Sequence, residues 1–319
     1  MQKDKAAGAL LGLACGDALG RPVEFQSAES IEREHGQVTE MLGGGAHNKP
    51  PGTITDDTEL ALCIAYSLLD CEEFDPADVA QRFVAWYDSN PFDIGLMTAD
   101  TLRRLKDGGD WEHVGHEVWK SRPEGQNAGN GSVMRCAPYA LAFADHPDRL
   151  GESSRTSSSI THADPRCTYG CAVLNQTLAG LLTSEPDPLE TALERLDSDA
   201  PDELVTALRG VPAEIDPGML QSSGYVIHTL QTGLYHGLTA RNPRDGIVSA
   251  VNMGRDTDTV GAVTGALVGA RFGAEELPDG WVHALTLDDT ERNAPAWWPD
   301  PQLVPATIRD LAHSLTDGF

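Results

Sequence analysis

Lysine is scarce in this chain, and long apolar runs are missing. Only five of the 319 residues are lysine, and 49 acidic side chains outnumber 23 basic ones, which gives a net charge of -26. A surface with that charge repels nucleic acid backbones and anionic membranes, so neither is expected as a partner. No apolar stretch reaches the roughly 20 residues that a helix needs to cross a bilayer.

The N-terminal run MQKDKAAGALLGLACGDALG has lysines followed by apolar residues, as an export signal does. Asp4, Asp17 and several glycines interrupt it, so we interpret it as the first helix of the fold. The acidic residues are spread over many segments instead of one tail, which is typical of a heavily hydrated surface like those of proteins from salt-loaded cytoplasms. We therefore expect a cytoplasmic protein that is most stable at high salt, where counterions screen its charge.

Cysteine pairs of the CxxC type are also missing. Six cysteines occur, but a chain of this size without an export signal is not expected to rest on disulfides. Cys167 and Cys171 are four residues apart and could share a helix face, yet no second ligand pair at zinc spacing accompanies them. We interpret the cysteines as small apolar core residues.

Strand-like alternation of apolar and polar residues is absent as well. Apolar residues recur at helical spacing instead, as in Leu60, Ile64 and Leu68. Proline-rich stretches that could link domains are short, and no repeat of solenoid length occurs. The sequence predicts an all-α, compact, multi-helix protein with a single domain over residues 1–319, acting as a monomer.

Two clusters of aspartate and threonine precede two apolar helical stretches, within PGTITDDTELAL and NMGRDTDTVG. The first cluster comprises Thr55, Asp56 and Asp57, and the second comprises Asp256, Asp258 and Thr259. One aspartate at a helix start is usually an N-cap, but capping needs one oxygen per helix and not four carboxylates. If the two helix starts meet, their charges repel unless a cation lies between them. Oxygen ligands without neighbouring histidine or cysteine favour Mg²⁺ or Mn²⁺ over zinc.

The stretch NAGNGSVMR predicts a flexible turn at residues 129–132, at the start of a helix. Backbone N–H groups in such a glycine turn can hold a phosphate, although most such turns have no ligand. Glu24 in GDALGRPVEF, Asp93 in NPFDIG and His162 in ITHADPRC are weaker candidates. Each of these alone could equally be a cap, a turn residue or a structural hydrogen-bonding group.

Taken together, these motifs resemble the ADP-ribosylglycohydrolase family. The segments GDALGRPVEF, TITDDTELAL, NPFDIG, GNGSVMR, THADPRC and GRDTDTVGAVTGALVGARFG follow the order and intervals of that family, from residue 8 to about residue 273. The resemblance implies a central dinuclear site with two divalent cations, Mg²⁺ or Mn²⁺. The metal ligands that it implies are Thr55, Asp56, Asp57, Asp256, Asp258 and Thr259. The substrate-binding residues that it implies are Gly129, Asn130, Gly131, Ser132, Met134 and His162.

The resemblance also implies an activity. The expected enzyme is a metal-dependent hydrolase that cleaves the glycosidic bond between ribose C1 of ADP-ribose and a protein side chain or small acceptor. Asp56, Asp93 or Glu24 would act as the acid or base, and the sequence does not choose among them. Its partner would be an ADP-ribosylated protein or a small ADP-ribose conjugate. Arginine, serine and acetylated ADP-ribose are all used within the family, so the acceptor stays open.

Two alternatives belong to other classes. Another helical metallohydrolase, such as a phosphodiesterase, would supply several metal-binding histidines, whereas the ten histidines here avoid both aspartate clusters in the sequence. A catalytically silent ADP-ribose-binding homologue would have lost metal ligands, and all six are present. One residue departs from the family pattern GGDTDT: Arg255 replaces the second glycine, where it could crowd the cleft, contact a phosphate or pair with a carboxylate.

Overall fold

The computed structural model describes residues 3–288 and 292–319. Within these ranges the chain folds into helices α1 to α16, and backbone pairing outside helices is limited to isolated bridges, which confirms the all-α prediction. The first eight helices are α1 (Lys3–Gly20), α2 (Ala28–His35), α3 (Asp56–Cys71), α4 (Pro76–Asp88), α5 (Leu96–Lys106), α6 (Trp111–Ser121), α7 (Pro138–Ala142) and α8 (Pro147–Ser159). The others are α9 (Pro165–Thr183), α10 (Pro188–Glu194), α11 (Asp202–Arg209), α12 (Val226–Thr239), α13 (Pro243–Val251), α14 (Thr257–Phe272), α15 (Asp279–Ala284) and α16 (Val304–Asp317).

Helices α1 and α14 form the centre of the molecule and are buried on nearly all sides. They run antiparallel along a seam of glycines, in which Gly12 faces Gly265 and Gly16 faces Gly261. A methyl group on any of these four glycines would overlap the backbone of the opposite helix. The two backbones are therefore in direct contact, which only glycine permits.

The surrounding helices are amphipathic and cover this central pair. α3, α12, α13 and α16 each pack against α1 or α14, and one continuous apolar core extends from Ala6 to Leu315. This difference between the central and the surrounding helices follows from the hydrophobic effect, because only a helix enclosed by others can be apolar on every face. Among the described residues, no helix combines the length and the apolar composition needed to cross a bilayer.

The seam sets the position of the helix ends. α1 ends at Gly20, whose carbonyl accepts a hydrogen bond of 2.8 Å from the hydroxyl of Thr257 at the start of α14. The end of α1 also meets the start of α3, because Asp17 accepts hydrogen bonds from Thr55 and Thr58. Three helix termini thus meet at one end of the central pair.

A segment near the C-terminus closes over the same end. Thr286 exchanges backbone hydrogen bonds with Gly52 and Ile54, and Lys49 forms an ion pair of 2.6 Å with Asp288. Arg292 is buried and forms a bidentate ion pair with Glu59 of α3. The start of α3 is therefore held between α1 and this segment.

Candidate functional site

The first aspartate cluster lies in the first turn of α3. Thr55 is the N-cap, and its hydroxyl donates to Asp17 over 2.9 Å. Asp17 also accepts from the Thr55 and Thr58 N–H groups and from the Thr58 hydroxyl, which lies 2.5 Å away. The carboxylate of Asp17 therefore caps α3 from another helix. Since α3 is capped in this way, Asp56 and Asp57 are not needed for that purpose.

The second cluster begins α14. Asp256 is the N-cap residue but its side chain caps no N–H group, and Asp258 lies in the first turn of the helix, where it is buried. Oδ2 of Asp256 instead accepts a hydrogen bond of 2.8 Å from the side-chain amide of Asn130. The two clusters face the same cleft.

Burial and mutual repulsion disfavour the charged forms of these carboxylates. Burial raises the pKa values of Asp56, Asp57 and Asp258 well above the usual value, and nearby carboxylates raise them further. For Asp258 the charged neighbour with the largest effect is Glu24, whose own pKa is raised to about 9 by burial and by Asp93. A compensating cation would relieve this repulsion, and its binding would release protons.

Glu24 and Asp93 lie at the edge of the clusters with His47 between them. His47 Nε2 lies 3.6 Å from Oε2 of Glu24 and 3.5 Å from Oδ2 of Asp93. Burial raises the pKa of Asp93, and the imidazole of His47 opposes that rise. Both carboxylates line the cleft beside Asp56.

The glycine turn also lines the cleft, but the prediction that it starts a helix is wrong. Residues 131–135 form turns, and the next helix, α7, begins only at Pro138. Asn130 accepts at its carbonyl from the Val133 and Met134 N–H groups, which makes one isolated helical turn. The N–H groups of Gly131 and Ser132 have no acceptor among the described residues, so they can still donate to a ligand.

The remaining candidates differ in whether their side chains reach the cleft. Met134 and His162 line the cleft, and burial lowers the pKa of His162 to about 3, so its imidazole is neutral. Ser132 is buried below the turn, where its hydroxyl accepts from Ser158 over 2.9 Å. A ligand in the cleft could therefore meet the backbone of Ser132 but not its side chain.

The cleft has a volume of about 550 Å³. Its walls include Glu24, Asp56, Asp57, Asp93, Gly129, Asn130, Gly131, Met134, His162, Asp256, Asp258 and Thr259. Of the predicted catalytic, metal-binding and substrate-binding residues, only Thr55 and Ser132 are absent from this surface. The lining combines carboxylates with the backbone donors of the glycine turn, which suits a ligand that carries both a polar sugar and an anionic group.

Divalent cations fit this donor set. Oδ1 of Asp57 and Oε2 of Glu24 are buried without a hydrogen-bond partner among the described residues. A buried acceptor without a donor is costly, and a hard cation is a natural partner for it. Asp56, Asp57, Asp256 and Asp258, with the hydroxyls of Thr55 and Thr259, are the residues that could hold such ions.

Arg255 adopts a backbone conformation suited to glycine. Its φ is 65°, in the left-handed region, and Phe25 has a φ of 66°. The two residues are paired by backbone hydrogen bonds: Phe25 N–H donates to the Arg255 carbonyl over 2.7 Å, and Arg255 N–H donates to the Gln26 carbonyl. The Arg255 side chain is exposed and does not line the cleft, so it does not crowd it, whereas Phe25 lines the cleft and is 70% exposed.

Two residues at this site need separate comment. Asp17 lies within GDALGRPVEF, where the sequence allows a turn or a cap, and the structure shows that it caps α3. His47 lies in the segment HNKPPGT, which resembles a linker, and nothing in its sequence signals that it reaches Glu24 and Asp93. The observation that histidines avoid the aspartate clusters holds in the sequence but not in space, since His47 and His162 reach the same cleft.

Comparison with known protein families gives a match over nearly the whole chain. The model of the family described as ADP-ribosylglycohydrolase matches residues 1–316. The ADP-ribosyl-[dinitrogen reductase] glycohydrolase of Rhodospirillum rubrum is 34% identical over 285 residues, which cover 89% of this chain and 91% of that protein. The ADP-ribosylarginine hydrolase Tri1 of Pseudomonas putida is 34% identical over 297 residues, which cover 88% of this chain and 74% of the Tri1 chain.

A solved structure shows the same fold. It is titled as an ADP-ribosylglycohydrolase-related protein complex, and it is 34% identical to this chain. The two superpose with a TM-score of 0.79, covering 99% of this chain and 98% of the other. Fold and sequence comparisons therefore agree.

Proposed function

This chain belongs to the ADP-ribosylglycohydrolase family, and we propose that it hydrolyses the bond between ribose C1 of ADP-ribose and a protein side chain, with the help of divalent cations. The observation that carries the proposal is the convergence of Asp56, Asp57, Asp256 and Asp258 in one cleft, which is also lined by a glycine turn with N–H groups that have no acceptor among the described residues. A silent binding homologue would not need to retain all six metal ligands.

The carboxylates form the end of the cleft where the bond would break. Glycoside hydrolysis passes through a transition state with positive charge on the sugar ring, which neighbouring carboxylates stabilise. When bound, two Mg²⁺ or Mn²⁺ ions would orient the ribose hydroxyls and lower the pKa of a water. Thr55, Asp56, Asp57, Asp256, Asp258 and Thr259 are the ligands that we assign to these ions.

Proton transfer is assigned to Glu24 and Asp93 in preference to Asp56. Oδ2 of Asp56 accepts from the Gly95 N–H group over 3.4 Å and the residue faces the metal ligands. Glu24 and Asp93 lie at the edge of the cluster, and Oε2 of Glu24 has no hydrogen-bond partner among the described residues. One of them would protonate the departing acceptor atom while the other takes a proton from water. Burial raises the pKa of Glu24 to about 9 and also raises the pKa of Asp93, and a carboxyl group with a raised pKa holds the proton that a general acid delivers.

We propose arginine as the acceptor. A guanidinium group is cationic, and Glu24 and Asp93 offer it two carboxylates at the mouth of the cleft. The 34% identical relative from Pseudomonas putida is named for arginine, which supports the same choice. We also propose that the protein is a cytoplasmic monomer that binds neither nucleic acid nor membranes, in keeping with its net charge of -26.

The proposed function is tested with defined substrates. Proteins ADP-ribosylated on arginine or on serine, and acetylated ADP-ribose, are incubated with metal-stripped protein and added Mg²⁺ or Mn²⁺. We expect free ADP-ribose from the arginine substrate at a rate at least tenfold above that from the others, and none without metal. Equal rates would contradict the arginine assignment, and no metal-dependent release from any substrate would refute the hydrolase.

The glycine turn gives a separate prediction. A valine at Gly131 would push its side chain into the ring of His162, which lies within 3.0 Å of the first added carbon, and would fill the space beside the free N–H groups. We expect Gly131→Val to weaken ADP-ribose binding at least tenfold while cation affinity is unchanged, as measured by calorimetry. If melting temperature, cation affinity and ADP-ribose affinity fall together, the turn is structural and the phosphate assignment is wrong.

A further inference from the structure

Three side chains from different loops meet at the edge of the cleft: Glu24, His47 and Asp93. Their ligand atoms all lie within 4.8 Å of one another. His47 Nε2 is 3.6 Å from one carboxylate and 3.5 Å from the other, and no hydrogen bond joins it to either. Oε2 of Glu24, on a side chain only 10% exposed, likewise has no hydrogen-bond partner among the described residues. A buried polar atom without a hydrogen-bond partner needs an explanation, and a bound ion is one that serves all three side chains.

The spacing of these atoms fits a metal ion. Two ligands that each lie about 2.0–2.1 Å from a tetrahedral zinc ion are about 3.4 Å apart. The two separations from His47 Nε2 are close to that value. A histidine nitrogen beside carboxylate oxygens also changes the preferred ion, because imidazole suits Zn²⁺ whereas Mg²⁺ prefers oxygen ligands.

The loop that carries His47 is held in place. The guanidinium of Arg21 is buried and donates to the backbone carbonyls of five residues along that loop, namely Leu42, Gly44, Lys49, Pro50 and Thr53. The ring of Phe92, next to Asp93, lies 5.2 Å from the ring of His47. The three ligands are therefore positioned before any ion binds, which favours affinity.

We propose that Glu24, His47 and Asp93 form a third cation site that takes Zn²⁺, with water as the fourth ligand. It adjoins the two aspartate clusters, since Glu24 lies beside Asp258 and Asp93 lies beside Asp56. Its histidine comes from the loop before α3, and none of the six cluster residues belongs to it. Only the expected effect of zinc on activity rests on the proposed function. A zinc ion at this position occupies both carboxylates assigned to proton transfer, so zinc inhibits the hydrolase.

Zinc binding is tested first, without reference to activity. Zn²⁺ is titrated by calorimetry into protein saturated with Mg²⁺, and Co²⁺ absorption reports a tetrahedral site with a nitrogen ligand. We expect one zinc ion per chain, and an affinity at least a hundredfold lower in His47→Phe, which keeps the ring contact with Phe92 but removes the ligand. His47→Gln serves as a second variant if the melting temperature shows that phenylalanine disturbs the loop.

The chain offers a matched control. Asp110, Glu112 and His113 also bring three ligand atoms together, but all three are exposed and His113 Nδ1 is 3.1 Å from Oδ2 of Asp110, a hydrogen bond that already uses both atoms. His113→Phe is expected to bind zinc as the parent does. No zinc binding under Mg²⁺ saturation, equal binding by the His47 variants, or loss of binding in His113→Phe would each overturn the proposed site.

Inhibition separates this proposal from the proposed function. The zinc concentration that halves ADP-ribose release should be at least tenfold higher for His47→Phe than for the parent, with each rate normalised to its own zinc-free value. Zinc that binds at His47 without inhibiting would refute the inhibitory role. A protein that binds zinc at His47 but releases no ADP-ribose from any substrate would refute the hydrolase and leave the zinc site standing.

Discussion

Replacing Asp258 with asparagine should lower the affinity for Mg²⁺ or Mn²⁺ at least about a hundredfold and reduce ADP-ribose release in proportion. Mutating a residue that only supports a metal ligand lowers metal affinity or activity about 10–100-fold, and removing a ligand is expected to lower it further. The same change should raise the melting temperature of the metal-free protein. Burial and the carboxylates of Glu24 and Asp57 raise the pKa of Asp258, so its ionised form destabilises the fold, and that cost grows as pH rises through the raised pKa.

A capping aspartate should behave in the opposite way. Asp75 caps α4 by accepting hydrogen bonds of 2.9 and 3.1 Å from the N–H groups of Ala77 and Asp78. Asp75→Ala should cost about 1 kcal/mol of stability and leave cation affinity unchanged. Calorimetry and thermal melts of both variants, with and without metal, distinguish a metal ligand from a helix cap. If Asp258→Asn loses stability as Asp75→Ala does and still binds metal, Asp258 is a cap and not a ligand.

Replacing Gly265 with alanine should destabilise the protein by about 3 kcal/mol, which is the upper end of the range for overpacked cores. The value is high because the added methyl group meets backbone atoms, which cannot move aside as a flexible side chain can. The added methyl group would overlap the carbonyl of Gly12 on α1, and the two helices would have to separate. Because the same pair positions Asp17 and Asp258, cation affinity should fall as well. Denaturant unfolding and metal titration measure the two effects.

Gly280 in α15 provides the comparison for this change. A methyl group there meets no atom of the described residues within 4 Å, so Gly280→Ala should be neutral or should stabilise by about 0.5–1 kcal/mol through its effect on the unfolded chain. If Gly265→Ala is as harmless as Gly280→Ala, the central helices are not in the close contact described here.

The sequence predicted the helices and both aspartate clusters because those signals are local. The four-residue spacing of Gly261, Gly265 and Gly269 is also visible in the sequence, but nothing local identifies α1 as the helix that packs against them. Asp17 reaches α3 across 38 positions, a distance that no periodicity reveals. The left-handed φ of Arg255 could not be read from its identity, since arginine rarely adopts it.

The error at the glycine turn has a tertiary cause. Asn130 uses its amide group on Thr229 and Asp256, and its N–H group on the Gly224 carbonyl, so distant segments fix the turn. These contacts let the chain make a single helical turn and then stop. A sequence pattern records the preference for a helix start but not the tertiary hydrogen bonds that override it.

The glycine seam has a consequence for how the protein is made. Gly12 and Gly265 are 253 positions apart, so α1 leaves the ribosome long before its partner exists. At about 5–20 residues per second, the nascent α1 waits roughly 10–50 s for α14. A helix that is buried on almost every face in the native state is exposed throughout that time. Biosynthesis therefore depends on holding α1 away from other chains until the last quarter of the protein has been translated.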